Sequence, residues 1–572
     1  MNPVATRQHV LTVSVEEYFH HGAFTRSLQR KHWDRFESRV GRDVDDALAL
    51  LSAHSATATF FVHGSTAEQQ PELVRRIVAR GHEVASRGFL PVPIRAMRRE
   101  EFRDDLARTR AALERAGAGR VRGYRAPRWL QDGDEWILDV LADEGYAYDA
   151  SVNPILRRFA GDRRFLVAHE RVHGKSGAKL WEFPVSTAGV CGLRLAIAGG
   201  NWLRQLPRPF LRRALERWDR DEAAPLVFYF NSWELDAEQP DLPTRSRLDR
   251  IRHYRNLDRT RQRLGEQLSR FRFQSVAERL GLAPEEAPAP APGPIVVSPS
   301  RPRPVAAARP AAVLSLVVPI YHELQGLAYL RRTLLHVRSE LAATAALRFI
   351  LVDDGSRDGT RDALPQVFGD VPDCEIVLHE KNRGVAAAIL TGIAHARTDL
   401  VATIDADCSY DPLLLREMLP LARDADVVTA SPYHPQGRVQ NVPRWRLFLS
   451  RTLSRIYDRL LHDKLYTYTS CFRIYRRKAV EGLELTDGGF PGMAEILIRM
   501  IRRGARVVEF PTLLESRVLG VSKMRTLRTI RGHLKLLKRL RSERGRAPSP
   551  PRSAATEDVA SRMRAPEPVV TR

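Results

Sequence analysis

Long apolar runs are missing from this chain: no stretch reaches the roughly 18 residues that a membrane-crossing helix needs. A spanning protein is therefore not expected. Cysteine is scarce as well. Cys191, Cys374, Cys408 and Cys471 lie far apart and form no C-x-x-C pair, which argues against a structural zinc site and against a disulfide framework. The opening residues, MNPVATRQHVLTVSVEEYF, lack the apolar core of a secretory leader, so a reducing cytoplasm is the expected location. Acidic residues are outnumbered, 68 against 91 Lys and Arg, for a net charge of +23. A surplus of that size favours anionic partners such as lipid headgroups or nucleotides. No nucleic-acid-binding module can be read in the chain, so nucleic acid is not expected as a partner.

What the chain has is length and an α/β pattern. With 572 residues and 43% hydrophobic content, two or more domains are expected, each large enough to bury a core. The stretch that organises the rest is Leu400–Asp411, LVATIDADCSYD. Its apolar run ends in Asp405 and Asp407, which is how a buried parallel strand delivers acids to the carboxyl end of a sheet. Residues i and i+2 on a strand share a face, so the spacing predicts that both carboxylates grip one divalent cation, Mg²⁺ or Mn²⁺, on a diphosphate. An isolated D-x-D also arises by chance as a solvated strand end. The residues around it decide between the two.

In the first half, strand signals at 8–17, 57–63, Glu83–Ser86, Val121–Tyr124 and Leu226–Phe230 alternate with helix signals at Pro71–Arg80, Glu101–Arg115 and Asp134–Glu144. Such alternation predicts a largely parallel sheet, closed into a (β/α) barrel. The segments LTVSVEEYFH, RGYRAP, WEFPVST and VFYFNSWELD, among others over residues 8–280, resemble the polysaccharide deacetylases. That resemblance implies a metal hydrolase in which acids and histidines hold a cation and activate water. The motif positions, however, are changed. Where the family has D-V-E-D, this chain has Ser14, Val15, Glu16 and Glu17; where it has S-H-G-x-x-H, Arg87 and Pro91 replace the histidines; the last strand carries Asn231 in place of a catalytic His. An arginine repels a divalent cation and proline offers no ligand. The expectation is a fold that has lost deacetylation, with Arg125 and Asp149 retained and able to bind sugar. A relocated metal site recruiting His20, His21, His63 or His82 is the alternative.

Residues 283–312 are rich in Ala, Pro and Ser and read as an extended linker that lets two units, 1–282 and 313–541, reorient. The second unit shows strands at Leu314–Ile320, Leu347–Val352 and Glu375–Leu378, the loop Lys381–Gly384, and a helix at Val385–His395. This predicts a doubly wound sheet whose ligands collect beyond the carboxyl ends of its strands. VVPIYHE, ILVDDGSRDGT, the N-R-G loop and IDAD, in this order, resemble glycosyltransferase family 2 with its GT-A fold. YTYTSCFRIYRR and GVSKMRTLRTIRGHLKLL resemble its dolichyl- and polyprenyl-phosphate sugar synthases.

The resemblance implies a nucleoside-diphosphate sugar as donor and polyprenyl phosphate, or a glycan, as acceptor. It implies that Pro319, Glu323, Asp353, Asp354 and Asp405 line the donor site and that Asp405 and Asp407 hold the metal, with Asp407 the direct ligand. Ser409 stands where several such synthases have a Gln, a departure from the ligand set that the resemblance implies. Arg446 and Ser450, four apart on a helix within a basic run that includes Arg444 and Arg451, match a phosphate-contact pattern, and Lys523 is expected on a loop that closes over the phosphates. Only Ser431, Pro432 and Tyr433 remain of a GSRY-like element. Glu495 is expected to act on the acceptor, as base for a hydroxyl or only as an orienting group for a phosphate. Met524–Arg541 reads as a basic amphipathic helix suited to an anionic membrane, and residues from 542 as a disordered tail. The resulting expectation is a metal-dependent inverting glycosyltransferase, peripheral at the inner membrane face, fused to a degenerate deacetylase domain. A bifunctional transferase and deacetylase, and a protein whose two domains only bind, are the rivals.

Overall fold

The computed structural model describes residues 7–24, 28–155, 166–173, 177–190, 193–244, 246–282, 313–439, 444–461, 465–515 and 526–544. The linker read at 283–312 and most of the tail lie outside them. In the first half the strands are β1 (Gln8–Val15), β2 (Thr59–Val62), β3 (Glu83–Ser86), β4 (Gly123–Tyr124), β5 (Tyr148–Asp149), β6 (His169–His173), β7 (Ala178–Glu182), β8 (Thr187–Val190), β9 (Leu193–Ala196), β10 (Val227–Asn231) and β11 (Arg272–Gln274). The main sheet runs β10-β1-β2-β3-β4-β5-β7-β6, with β11 also on β1, and is parallel except for β6 against β7. Among the described residues β6 and β10 are not paired, so the expected barrel is an open one. Alternation along β1 sends Leu11, Val13 and Val15 into the core beneath helices Val40–Ala53, Pro71–Ala79 and Arg99–Arg115. Ser14 therefore faces the interior with Val10 and Thr12.

The second half contributes β12 (Val313–Ile320), β13 (Ala346–Asp353), β14 (Cys374–Leu378), β15 (Leu400–Thr403), β16 (Val427–Ser431), β17 (Arg438–Val439), β18 (Arg473–Arg476), β19 (Val507–Pro511) and β20 (Leu513–Leu514). Its main sheet is ordered β14-β13-β12-β15-β18-β16-β19, with β18 antiparallel to both neighbours. One face packs Leu314, Leu316, Val318 and Ile320 under helix Leu327–Leu341. The other packs Val317 with helices Val385–His395, Phe490–Arg502 and Thr526–Arg544. Both faces are covered, which is why these strands read as nearly continuous apolar runs. The last helix continues to Arg544, past the Arg541 expected.

The expectation of two freely reorienting units needs correction, because the described residues bring the halves into contact. The ring of Phe36 lies 5.3 Å from that of Tyr329, Arg35 pairs with Asp411 in the loop after β15, and Gln29 donates to Glu515 just past β20.

Helix Val385–His395 approaches β12 closely: a Cβ on Gly392 would overlap Cγ1 of Val317. Gly392→Val is expected to cost about 1–3 kcal/mol by overpacking, read as a lower urea midpoint with an unchanged slope.

Candidate functional site

β12 lies between β13 and β15 and is parallel to both. Parallel neighbours leave a sheet at a common edge, so the residues following Ile320, Val352 and Thr403 share one rim. Pro319 sits on β12 opposite Val352, and Asp353 opposite Ile320. Asp353 is buried; its carboxylate accepts the Ser356 N–H at 3.2 Å and Arg361 Nε at 3.3 Å. Asp354 binds inward as well. Its Oδ1 accepts the Arg383 N–H at 2.8 Å and lies 2.8 Å from His379 Nδ1, while Oδ2 accepts the Gly384 N–H at 2.8 Å. Asp354 thus ties the Lys381–Gly384 loop to the strand end, keeping one of its roughly four lone-pair sites for another donor. Gly355, at φ 74°, makes this closure feasible, since a Cβ there would lie 2.5 Å from the backbone of Asn382. Glu323 is half-buried and its N–H donates to Thr360 Oγ1 at 2.9 Å.

Asp405 and Asp407 stand beyond the strand, not on it: β15 ends at Thr403. The strand alternation read from the sequence is therefore not what brings them together. The chain turns instead, with the Cys408 N–H on the Asp405 carbonyl at 3.0 Å and Cys408 at φ 50°, an uncommon setting for a residue other than glycine. Both acids are half-exposed. Asp407 Oδ1 accepts the Ser409 N–H at 3.0 Å and the Ser409 hydroxyl at 2.6 Å, so Ser409 orients the acid beside it. A pair of carboxylate oxygen donors suits a hard cation such as Mg²⁺ or Mn²⁺, which completes its shell with water and phosphate oxygens.

Ser450 and Arg446 lie on helix Arg444–Leu461, and the Arg451 guanidinium sits 6.0 Å from the Tyr433 ring. Lys523 lies outside the described residues. Glu495, expected to act on the acceptor, is engaged internally instead. It is fully buried, and its carboxylate accepts the Thr486 hydroxyl at 2.7 Å, the Thr486 and Asp487 N–H groups at 3.2 Å and Arg499 Nε at 2.9 Å. It anchors the turn before helix Phe490–Arg502. The basic helix is likewise divided: His533, Leu536, Leu537 and Leu540 are buried against its own domain, while Ile530 and Leu534 are exposed, Leu534 by 60%. Among the described residues no helix is long and apolar enough to cross a membrane.

In the first half, Ser14, Glu16 and Arg87 meet inside the open barrel. Arg87 donates to Ser14 Oγ at 2.9 Å and to Glu16 Oε2 at 3.1 Å, and both ionic partners are buried. Burial pushes the Glu16 carboxyl up, but Arg87 and then Arg128 outweigh it and hold its pKa at about 2. Glu17 is turned away, accepting the Arg39 N–H at 3.0 Å. Arg125 donates Nε to the Ala150 carbonyl at 2.9 Å and lies 4.5 Å from the Phe61 ring; burial and then Arg87 bring its pKa down to about 9. Asn231 Nδ2 donates to Glu234 at 3.1 Å. The residue at Pro91 is buried and makes no part of this cluster's bonding. Burial lowers His20 and His21 to about 4. His20 and His63 have ring centres 6.4 Å apart, and His82 Nδ1 accepts the Ala58 N–H at 3.3 Å. Among the described residues no group of three or more His, Cys, Asp or Glu is placed to hold a metal ion, so the alternative of a relocated histidine site is not assembled.

Residues 315–483 match the model of glycosyl transferase family 2. The polyprenol monophosphomannose synthase of Mycolicibacterium smegmatis is 31% identical over 227 residues, 38% of this chain and 83% of that protein. The chain belongs to glycosyl transferase family 2. The undecaprenyl-phosphate mannosyltransferase of Micrococcus luteus is 29% identical over 36% of this chain and 86% of that protein. Residues 36–148 match the polysaccharide deacetylase model, and residues 150–281 a domain of unknown function, DUF3473. Among solved structures, a glucosyl-3-phosphoglycerate synthase of Mycobacterium tuberculosis is similar at 16% identity over 42% of this chain and 82% of that one, with a TM-score of 0.31. A family 4 carbohydrate esterase of Streptomyces lividans is similar at 14% identity over 50% of this chain and 100% of that one, with a TM-score of 0.26.

The family 2 half also uses residues that the motifs did not single out. His379, directly after β14, bridges Asp354 to Thr391 Oγ1 at 3.0 Å. Arg473 is fully buried; it donates to the Tyr468 carbonyl at 2.6 Å and the Met493 carbonyl at 2.9 Å, tying the YTYTSCF segment to helix Phe490–Arg502. The position of His379 at a strand's carboxyl end was a usable signal. Arg473 carried none, being one arginine among many.

In the first half the Glu16–Arg87 pair is open to a direct test. Glu16→Gln strips the charge from Arg87's buried partner and is expected to cost about 3–5 kcal/mol at pH 7. Because the folded-state pKa lies below the unfolded one, this stability is present above pH 4.5 and is lost as pH falls towards about 2. Denaturation curves of the two proteins should converge over that interval.

Proposed function

We propose that the family 2 half transfers a sugar from a nucleoside diphosphate to polyprenyl phosphate, with a divalent cation on the donor diphosphate, and that the deacetylase-like half has lost hydrolysis. The observation that carries the reading is the shared rim of β13, β12 and β15, where Asp353 and Asp354 stand at the end of β13, Glu323 past β12, and Asp405 and Asp407 past β15. The acceptor is taken from the relatives, named as polyprenol and undecaprenyl phosphate mannosyl enzymes. Asp405 and Asp407 are the residues to hold Mg²⁺ or Mn²⁺, which when bound neutralises charge on the departing nucleoside diphosphate. Glu323 and the remaining acceptor capacity of Asp354 suit ribose or base donors, and Arg446, Ser450 and Lys523 suit phosphate oxygens.

An acceptor phosphate oxygen forms the new bond to the anomeric carbon as the bond to the donor oxygen breaks, and the nucleoside diphosphate leaves with the electron pair. Attack from the opposite face inverts the anomeric centre. A phosphomonoester with a second pKa of about 6 is ionised at neutral pH, so no general base is required. The internal engagement of Glu495 accords with that, and its role is to position the Thr486–Asp487 turn. Exposed Ile530 and Leu534, flanked by Arg531, Lys535 and Lys538, suit an anionic leaflet, which supports a peripheral place at the cytoplasmic membrane face.

Asp407→Ala is expected to lower transfer to polyprenyl phosphate roughly 100-fold or more and to abolish the Mn²⁺-dependent rise in melting temperature with nucleoside diphosphates. Full transfer by that variant overturns the metal assignment. Acetate release from N-acetylated glycans is expected to be absent with added zinc or cobalt; release would reverse the reading of the first half. Ile530→Ser with Leu534→Ser is expected to weaken sedimentation with anionic vesicles while leaving the melting temperature within about 2 °C, since both side chains are exposed.

A further inference from the structure

The contact between the halves falls on the acidic turn. Residues Arg30–Arg35 form a short helical turn seated on helix Leu327–Leu341, with Phe36 against Tyr329 and the Arg332 guanidinium on the Phe36 carbonyl. From there four side chains reach two acids, Asp411 in the loop after β15 and Glu515 just past β20. Arg35, only 1% exposed, pairs with Asp411 Oδ1 at 3.0 Å, and Lys31 Nζ lies 3.5 Å from Asp411 Oδ2 and 3.3 Å from Glu515 Oε1. His32 Nε2 lies 3.0 Å from Glu515 Oε2, and Gln29 donates to Glu515 Oε1 at 2.9 Å.

Each acid is wired to the candidate metal pair. Asp411 is four residues past Asp407 and ends the same loop by capping the short helical turn Pro412–Leu414, accepting the Leu413 N–H at 3.2 Å. The Glu515 N–H donates to the Ser409 carbonyl at 3.0 Å, and Ser409 in turn holds Asp407 Oδ1. Between Asp407 and Ser409 stands Cys408, at φ 50° and packed against the cluster that contains Phe19, Phe36 and Tyr329. A left-handed residue that is not glycine persists only where its surroundings over-determine it, and here the surroundings come from both halves.

We propose that the deacetylase-like half acts as a clamp on the Asp405–Asp411 turn, with Arg35 as the principal positioning residue and Lys31, His32 and Gln29 as its second grip through Glu515. The inference rests on the proposed metal role of Asp405 and Asp407. The fused domain is then retained for the geometry it imposes on its neighbour, whatever its own pocket binds.

The test uses the full chain with Arg35→Met, Arg35→Lys and Glu515→Gln. In metal-free protein, amide exchange at 405–411 should speed up roughly tenfold in Arg35→Met while β1 and β12 keep their protection. The Mn²⁺ concentration for half-maximal transfer should rise by a similar factor with kcat little changed, and Arg35→Lys should recover part of both. Unchanged exchange at 405–411 in Arg35→Met overturns the clamp. Should Arg35→Met fail to fold, Glu515→Gln carries the same comparison at a more peripheral site, and unchanged exchange there overturns it equally. Absence of metal-dependent transfer in the unmodified protein would defeat the functional reading, while the exchange comparison still decides whether the clamp exists.

Discussion

Parallel strands deliver their following loops to one edge of a sheet, and most of what can be said about this chain follows from that constraint. In the family 2 half it gathers Glu323, Asp353, Asp354, Asp405 and Asp407 from segments up to 84 residues apart onto the rim around β12. In the other half the same constraint brings Ser14 at the end of β1 next to Arg87, just past β3. The carboxylates cannot relax away from one another, because the strands beneath them are locked by cores on both faces. Mutual repulsion on such a rim is relieved by donors, and the backbone N–H groups of Ser356, Arg383, Gly384 and Ser409 supply part of that relief. What remains is a site whose charge suits a cation.

The sequence was legible wherever a local pattern determines structure. Helix Val385–His395 and the strand that ends at Asp353 could be read from apolar runs and their terminating acids, whereas β15 was read on into Asp405 and Asp407 and stops at Thr403. The turn carrying Asp405 and Asp407 could not, since it depends on a left-handed cysteine that has no sequence signature. Glu495 was equally opaque: its burial depends on Thr486 and Asp487, which a helical pattern does not mention. The basic helix showed its period but not its partner, so Leu534 and Leu537 looked alike until helix Phe490–Arg502 covered one of them. The contact that Gln29, Lys31, His32 and Arg35 make is polar and aperiodic, and only the fold brings it to Asp411 and Glu515.

In the proposed reading of the first half, a metal position is rebuilt without a metal. A cation and its ligands form a compact neutralised cluster; removing the ligands alone would leave a buried acid unpaired at a cost of several kcal/mol. Here a guanidinium stands among the old motif positions and satisfies both Ser14 and Glu16. Arg87 is thus more than a lost ligand. It fills the electrostatic need of Glu16 permanently, and its five donors hold a geometry that an ammonium would not. Such a pairing keeps the interior folded without a metal, and under the proposed loss of hydrolysis it lets the domain persist for some other purpose.

Glu495 connects the chemistry to the acceptor. A hydroxyl acceptor needs a base with a free oxygen aimed at it, whereas an ionised phosphate needs only to be held and relieved of its charge by neighbouring cations. In this chain the acid on helix Phe490–Arg502 is committed to Thr486, Asp487 and Arg499, and those hydrogen bonds outweigh the burial that would raise its pKa, bringing it below the usual carboxylate value. A base weakened in that way is a poor match for a hydroxyl proton at neutral pH. The same network makes good sense as scaffolding, because the Gly488 carbonyl that follows accepts the Ala386 N–H at 2.8 Å, at the start of the helix leading to β15. The residue that a hydroxyl transferase would spend on proton removal is spent here on holding the helix behind the acidic turn, and that favours an acceptor that arrives already charged.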